Sequence, residues 1–597
     1  AAKLIQWEVQ AGDLVPQGGA IAVIEAMKME HVVMAEHAGR VLALHMSPGN
    51  YLAPGELMLT LERAHVAQET QTHHEEQDLD AIRDDLRSVQ ERHAFLWDNN
   101  RATAVNKRHS QGGRTARENI AQLCDADSFM EYGALAIAAQ TRRRTLEDLM
   151  TNTPADGMVT GIGTVNASAY GPEKSRCVVM AYDYMVLAGT QGAANHQKTD
   201  RMLGLAIKLK LPVVLFAEGG GGRPGDVDRP VVAGLNNHTF SQFAALSGQV
   251  PVVGIVHGRC FAGNAALLGC SDVIIATKAS NIGMGGPAMI EGGGLGTYPP
   301  EAIGPSDVQS RNGVIDILVD DEIEAVEKAR QYLSYFQGPQ KAWTQADQRQ
   351  LRLAVPENRL RVYDIRQVIQ TLCDEDSVME LRADFGVGII TVLARIEGRA
   401  VGIMANNPLH LGGAIDVQAA DKSSRFMQLC NAHGLPLVSL TDTPGFMVGP
   451  EIEAQAQVRH TSRMFVVAAK LKVPFFAVVL RKGYGLGAQA MTAGGFDAPV
   501  FTISWPTGEF GPMGLEGSVR LGFRKELEAQ PEGPLRDALF NELVAERYTV
   551  GKALNMAQTL EIDAVIDPCE TRSWIVRGLD SSGALRGADL NGFIDTW

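Results

Sequence analysis

Alternating apolar and polar positions open the chain. "VQAGDLVPQGGAIAVIE" (residues 9–25) and "MSPGNYLAPGELMLTLE" (46–62) each predict a strand, a glycine turn and a second strand. The runs superpose at an offset of 37, which pairs Gly12 with Gly49 and Gly18 with Gly55. Two such β halves predict a small flattened barrel or sandwich. "IEAMKMEH" (24–31) follows the first copy, where a strand has to reverse. Lys28, between Met27 and Met29, is therefore expected at an exposed hairpin tip.

The pattern then changes. "QETQTHHEEQD" is polar and reads as a tether. His73 and His74 fall in it and are read as tether residues, so no metal site is expected. Leu79, Ile82, Leu86, Val89 and His93 recur at helical spacing and predict a docking helix.

Beyond residue 110 the chain repeats on a larger scale. "LCDADSFME" (123–131) returns as "LCDEDSVME" (372–380), an offset of 249. Further on, Lys198, Arg201 and Pro212 align with Lys422, Arg425 and Pro436 at 224. The first half thus carries about 25 extra residues, expected near "AAQTRRRTLEDLMTNTPADG". Apolar runs such as "CVVMAYD", "PVVLFAE" and "PVVGIVHG" alternate with amphipathic stretches, one over Arg201–Lys210. That is a β–α–β rhythm. The expected segments are 1–63, 64–110, 111–340 and 341–597.

Composition narrows the class. With 597 residues the chain is too long for one core. The net charge of −15, from 54 basic and 69 acidic residues, argues against a general nucleic-acid binder. Seven cysteines without a CxxC predict free thiols in a reducing, cytoplasmic setting. No run is apolar enough for a membrane span, and no signal peptide is visible. The chain starts mid-pattern without an initiator methionine, so a preceding segment is expected.

Two glycine-rich turns carry the candidate chemistry. "GRCFAGNAALLGC" (258–270) pairs with "RKGYGLGAQAMTAGG" (481–495) at 223, aligning Gly263 with Leu486 and Asn264 with Gly487. Each follows an apolar strand and opens a small-residue helix. Amides at such a start point outward and suit an oxyanion, here a thioester enolate or a ureido oxygen. No P-loop, GxSxG elbow, zinc helix or pair of catalytic carboxylates appears. Backbone donors without a protein base fit a cofactor that supplies the base.

"EAMKMEH" resembles the biotinylation signal of biotin carboxyl carrier domains. The resemblance implies covalent biotin on Lys28, attached by a biotin protein ligase. Residues 111–597 resemble the carboxyltransferase of biotin-dependent acyl-CoA carboxylases, on "GGRTARENI", "ADGMVTGIGTV", "RCFAGNAA", "ADKSSRFMQLCNAHGLPLVSLTDTPGFMVG", "VRHTSRM" and "RKGYGLGAQAM". The domain order is similar to that of single-chain bacterial long-chain acyl-CoA carboxylases. The fold implied is an all-β biotinyl/lipoyl-like barrel sandwich followed by two crotonase-like α/β halves. The first half would bind acyl-CoA, with Leu187, Ala188, Gly189 and Thr190 near the CoA and Gly263 and Asn264 amides on the thioester oxygen. The second would bind carboxybiotin through Leu486 and Gly487. A homohexamer is implied. So is a biotin carboxylase domain, upstream or on a partner chain, that uses ATP, Mg and bicarbonate.

The sequence departs from the family at Asn264, at Leu486 and in "GGGGRPGD". Arg142, Arg143 and Arg144 read as a solvated loop or as contacts to CoA phosphates. A transcarboxylase or decarboxylase with another acceptor, and a non-catalytic scaffold, remain alternatives; a simple hydratase leaves the carrier unexplained.

Overall fold

The computed structural model describes residues 2–65, 78–229, 232–583 and 592–597. It forms two compact units, one up to Leu86 and one from Arg87 onward. His73 and His74 lie outside the described residues.

The first unit contains β1 (Ala2–Trp7), β2 (Leu14–Val15), β3 (Ala20–Ala26), β4 (Met29–Met34), β5 (Gly39–Leu44), β6 (Tyr51–Leu52) and β7 (Leu59–Arg63). They make a four-stranded sheet, β4-β3-β1-β6, and a three-stranded one, β2-β5-β7. The 37-residue offset survives at the level of single hydrogen bonds. Gly12 N donates to Val41 O and Gly49 N to Leu4 O, both at 2.7 Å. Val41 N donates to Asp13 O and Leu4 N to Asn50 O, both at 2.9 Å. Leu4 and Val41, the equivalent residues, are both fully buried. Gly12 and Gly49 sit at φ 104° and 95°, a region closed to side-chain-bearing residues without strain.

The segment between the carrier and the doubled fold divides. A helix runs over Asp84–Ala94, shorter than the 79–93 periodicity predicts, and buries none of its residues. Leu79 precedes it and is exposed. From Arg87 the chain belongs to the second unit.

The second unit holds two sheets of matching topology. The first contains β8 (Met130–Tyr132), β9 (Met158–Thr164), β10 (Arg176–Tyr182), β11 (Val213–Phe216), β12 (Val252–Val256), β14 (Val273–Thr277) and β16 (Ile317–Val319) in that spatial order. The second contains β17 (Met379–Leu381), β18 (Ile389–Ile396), β19 (Arg399–Asn406), β20 (Leu437–Thr443), β21 (Phe475–Tyr484), β22 (Phe501–Ser504) and β24 (Ala564–Val565). In each, the first two pairings are antiparallel and the rest parallel. β13 (Arg259–Phe261) pairs with β15 (Asn281–Gly283) as the end of β21 pairs with β23 (Glu509–Gly511). The parallel strands are buried on both faces, which explains their unbroken Val/Ile runs.

The surplus in the first half has two locations, not one. Residues 133–157 join β8 to β9 where 382–388 suffice in the second half, and 165–175 join β9 to β10 against 397–398. The predicted helix at Arg201–Lys210 is longer, Ala193–Leu209, and corresponds to Val417–Ala432.

Lys198 on the first of these helices is buried. Its Nζ donates to Ala155 O at 2.9 Å and Met158 O at 2.5 Å. Burial pulls its pKa from 10.5 down to about 8. The folded state therefore releases this proton first, and the unfolded state binds more protons between pH 8 and 10.5. Stability contributed by Lys198 rises with pH across that window and is lost as pH falls through 8. Lys198→Met removes the rise: denaturant midpoints of wild type and variant converge or cross differently above pH 8 than below it. Parallel curves would overturn the assignment.

All seven cysteines are free. Among the described residues no helix is long and apolar enough to cross a membrane, and no group of His, Cys, Asp or Glu forms a metal cluster.

Candidate functional site

At the carrier hairpin, Ala26 pairs with Met29, leaving Met27 and Lys28 as a two-residue turn. Both have positive φ, 54° and 65°, as a type I′ turn demands. Asn and Gly usually fill such turns; a Met and a Lys there each cost about 1 kcal/mol or more. Met27 is 95% exposed, and Glu25 faces Glu30 across the strands. Facing like charges also destabilise slightly. Among the described residues, nothing accepts a hydrogen bond from Lys28. The tip thus concentrates features that do not serve stability and leaves one amine free for modification.

In the second unit, β13 ends at Phe261, Ala262 turns at φ 52°, and a helix runs over Gly263–Gly269. In the second half, β21 ends at Tyr484, Gly485 turns at φ 57°, and the helix is Gly485–Met491. The amides of Gly263, Asn264, Leu486 and Gly487 have no acceptor among the described residues. They lie at helix starts, where orphan N–H groups and the dipole favour negative charge.

The loops around these turns are duplicated bond for bond. Gln191 N donates to Gly221 O at 2.6 Å and Arg223 N to Gln191 O at 2.8 Å. Their 224-offset equivalents are Ile415 N to Gly445 O at 3.1 Å and Met447 N to Ile415 O at 2.8 Å. Leu187, Ala188 and Gly189 turn with φ of 47°, 54° and 64°. A Cβ on Gly189 would lie 2.5 Å from Glu218 O; on Gly413, 2.2 Å from Asp442 O. Asn264 ties its cluster together: Nδ2 donates to Gly189 O at 3.1 Å and Glu218 O at 3.3 Å, and Oδ1 accepts from Gly221 N at 3.2 Å. Its side chain is spent on structure while its amide stays free. Gly487, at the same place, has no side chain, and Gly445 closes in: a Cβ there would lie 2.6 Å from Gly445 Cα.

The chain belongs to the carboxyl transferase family. Residues 107–583 match the carboxyl transferase domain, and 1–61 match the biotin-requiring enzyme (biotin/lipoyl) domain. Biotin is accordingly the covalent cofactor of the N-terminal domain. The chain is 31% identical to the methylmalonyl-CoA carboxyltransferase 12S subunit of Propionibacterium freudenreichii subsp. shermanii, over 80% of this chain and 90% of that one. A solved transcarboxylase 12S hexamer with methylmalonyl-coenzyme A bound superposes with a TM-score of 0.74 at 29% identity, covering 86% of this chain and 99% of the other. A single-chain, multi-domain long-chain acyl-CoA carboxylase superposes at 0.80 with 54% identity, over 97% of this chain. The present chain spans 55% of that protein's length.

Within the carboxyl transferase domain, the loop Leu187–Thr190, the glycine run and the turn at Gly263 form one cluster, with Leu411–Gly413, Gly445 and Leu486–Gly487 forming its counterpart on the second sheet. A cavity of about 460 Å³ opens beside the counterpart, lined by Leu411, Val417, Met447, Val448 and Ile452 and by the His410–Asp416 pair. Arg142 and Arg143 are exposed, Arg144 pairs with Asp148 at 2.5 Å, and the Arg142 amide donates to Asp228 Oδ1 at 3.1 Å, beside the glycine run.

Two groups escaped the sequence reading. Arg223, inside "GGGGRPGD", has a buried side chain that donates to Asp156 Oδ1 at 2.5 Å and Thr190 O at 3.0 Å. It pins the Leu187–Thr190 loop. Asp156 is fully buried, and burial pushes its carboxyl up against the pull of Arg223. Arg223→Met leaves that carboxylate unpaired, a loss of about 3–5 kcal/mol. Urea unfolding should register this loss, and the KM for acyl-CoA should rise more than kcat falls.

The second is Glu218, which takes two bonds from Arg108, at 2.8 and 2.5 Å. Burial pushes it up to about 7 despite that guanidinium. Asp442, its 224-offset counterpart, is held by Arg481 Nε at 3.1 Å and Tyr363 Oη at 2.9 Å. Carboxylates ending "PVVLFAE" and "PLVSLTD" at matched positions were the available signal. Their arginine partners had none.

Proposed function

We propose that the chain transfers a carboxyl group from biotin on Lys28 to the α-carbon of an acyl-CoA thioester. The observation that carries this is the pair of duplicated turns with free amides, in one chain with a biotin-family hairpin. The first-half cluster would take the acyl-CoA. Leu187–Thr190 would receive the CoA portion, and the Gly263 and Asn264 amides would hold the thioester oxygen as negative charge develops on it. The Leu486 and Gly487 amides would hold the ureido oxygen of the second reactant. Biotin, when bound, supplies the mobile carboxyl group and a basic ureido nitrogen, which the loops lack. The tip lysine fits that role because it is exposed, has no partner among the described residues and stands in a two-residue hairpin turn.

The proposed segments are those of the sequence reading, with crotonase-like halves meeting near residue 340 and a barrel sandwich up to residue 63. Long-chain acyl-CoA is the favoured substrate class, supported by likeness to the single-chain long-chain enzyme. A homohexamer, a cytoplasmic setting, a biotin protein ligase and an ATP-, Mg- and bicarbonate-using biotin carboxylase domain complete the proposal.

The test runs the transfer backwards. The biotinylated chain is incubated with 2-carboxyacyl-CoAs of short, branched and long chain, labelled in the free carboxyl group, and label on the protein is measured. Label should accumulate, fastest from long-chain donors. No label from any donor would sink the proposal. The 12S likeness supports a second reading, a transcarboxylase that works the same exchange with a different acceptor; label passing onward to an added acceptor without ATP would select it.

A further inference from the structure

At one point on the seam between the two halves, three cations meet one carboxylate. Arg382, Lys422 and Arg425 line one small cavity with Asp316 and the apolar Leu381 and Phe426. The three cations are 5%, 1% and 5% exposed. Asp316, from the first half, is the one carboxylate lining this space. It is already shared: Oδ1 accepts from Arg382 Nε at 3.0 Å and Oδ2 from Ile274 N at 2.8 Å. The carboxylates further out are also committed. Arg463 holds Asp595 at 2.5 and 2.6 Å, and Arg366 holds Glu380 at 2.8 and 2.7 Å.

One buried donor here has no acceptor, and two further cations stand beside it. Arg382 Nη1 is buried with no hydrogen-bond partner among the described residues. Lys422 Nζ, with three protons to place, donates to Arg382 O at 2.7 Å. Arg425 Nη1 stands 3.8 Å from Asp316 Oδ1, beyond hydrogen-bond distance. An uncompensated buried cation is among the costliest arrangements a protein interior can hold. Burial pulls Arg382 down to about 10 and Lys422 to about 7, Arg425 adding to the strain on the former.

The backbone points the same way. Arg382 has φ 54°, a conformation that favours glycine. Gly133 stands at the equivalent place in the first half, at φ 68°. Lys422 and Arg425 repeat Lys198 and Arg201, yet Arg201 is exposed. The charged cavity is therefore particular to the second half and is not a by-product of duplication.

We propose that this cavity binds one halide-sized monatomic anion, held by Arg382 Nη1, Lys422 Nζ and Arg425 Nη1. Its volume of about 10 Å³ leaves space for one small occupant only. It excludes bicarbonate, phosphate and carboxylate ligands. The ion neutralises the second-half cations where they meet the first half, so its binding is coupled to docking of the halves.

The test uses the full chain. Chloride is titrated against gluconate at constant ionic strength while the thermal midpoint is followed, and crystals are soaked in bromide. The midpoint should rise by a few degrees and saturate. Anomalous density from bromide should appear among the three cations. Arg382→Gln should lose both effects. Lys422→Met, which keeps both guanidiniums, should raise the half-saturating chloride concentration about tenfold. If Arg382→Gln does not fold, the bromide map and Lys422→Met still decide. Density in this cavity that does not respond to bromide identifies a water and overturns the proposal, whatever the midpoint does.

Discussion

Lys28→Arg abolishes label transfer and leaves the fold unchanged. The substitution keeps the positive charge and the length of the side chain but removes the primary amine. Arginine is not an acceptor for an amide-linked cofactor. The hairpin should accept it, because residue 28 is exposed at the end of a two-residue turn and makes no contact that the rest of the unit depends on. The expected result is an intact mass lacking biotin, an unchanged circular dichroism spectrum and an unchanged unfolding midpoint, with no label on the protein from any acyl-CoA. Binding of acyl-CoA to the larger unit should persist, since Leu187–Thr190 and Gly263 belong to a different unit. Biotin found on the variant, or label transfer within about tenfold of wild type, would show that the modified residue lies elsewhere.

Gly487→Ala carries the next largest effect. The added methyl would meet Gly445 Cα at 2.6 Å and Phe446 N at 2.9 Å, both backbone atoms. Neither can rotate away, so the turn itself has to shift. The Leu486 and Gly487 amides would then move off the position of the oxygen they are proposed to hold. Removing one such donor typically costs about 100- to 1,000-fold in kcat. The loss should fall on kcat, with acyl-CoA affinity measured by calorimetry unchanged, because the cluster proposed for CoA is the one on the other sheet. Leu486→Ala is the control. It alters an exposed side chain and keeps its amide, and should stay within a few-fold of wild type. Equal losses in the two variants would argue that side-chain contacts, not backbone donors, make this half work.

Much of this was legible in the sequence, and the reasons are local. Strict alternation, paired glycines and fixed offsets are short-range signals, and they located the hairpin at Lys28 and both turns. The repeats also predicted that the two sheets would match strand for strand. Contacts between distant segments were not legible. Arg108 reaches Glu218 from a polar stretch, "NKRHS", with nothing to distinguish it from a solvated helix. Arg223 looked like part of a glycine-rich loop, and its burial against Asp156 depends on a left-handed turn at Ala155 and Asp156 that no spacing announces. The surplus of the first half was readable in size, but offsets at two points cannot show that it is divided on either side of β9. The apolar periodicity from Leu79 to His93 was real, yet the helix starts only at Asp84 and buries nothing.

The bond-for-bond duplication of the loop frames has a consequence for how such a protein drifts. Where function rests on main-chain groups, selection acts on whatever keeps the backbone path: Gly189 and Gly413, squeezed against a carbonyl, or Ala262 and Gly485 at their reversed dihedrals. Outward side chains on the same turns escape that pressure. Leu486, which is exposed, is such a position; Asn264, bound into its cluster, and Gly487, with no room for a Cβ, are not, and each half keeps its own fixed residue there while the donors stay in register. A deep mutational scan of this chain should therefore read as two interleaved sets of positions, nearly frozen and nearly free, with few in between.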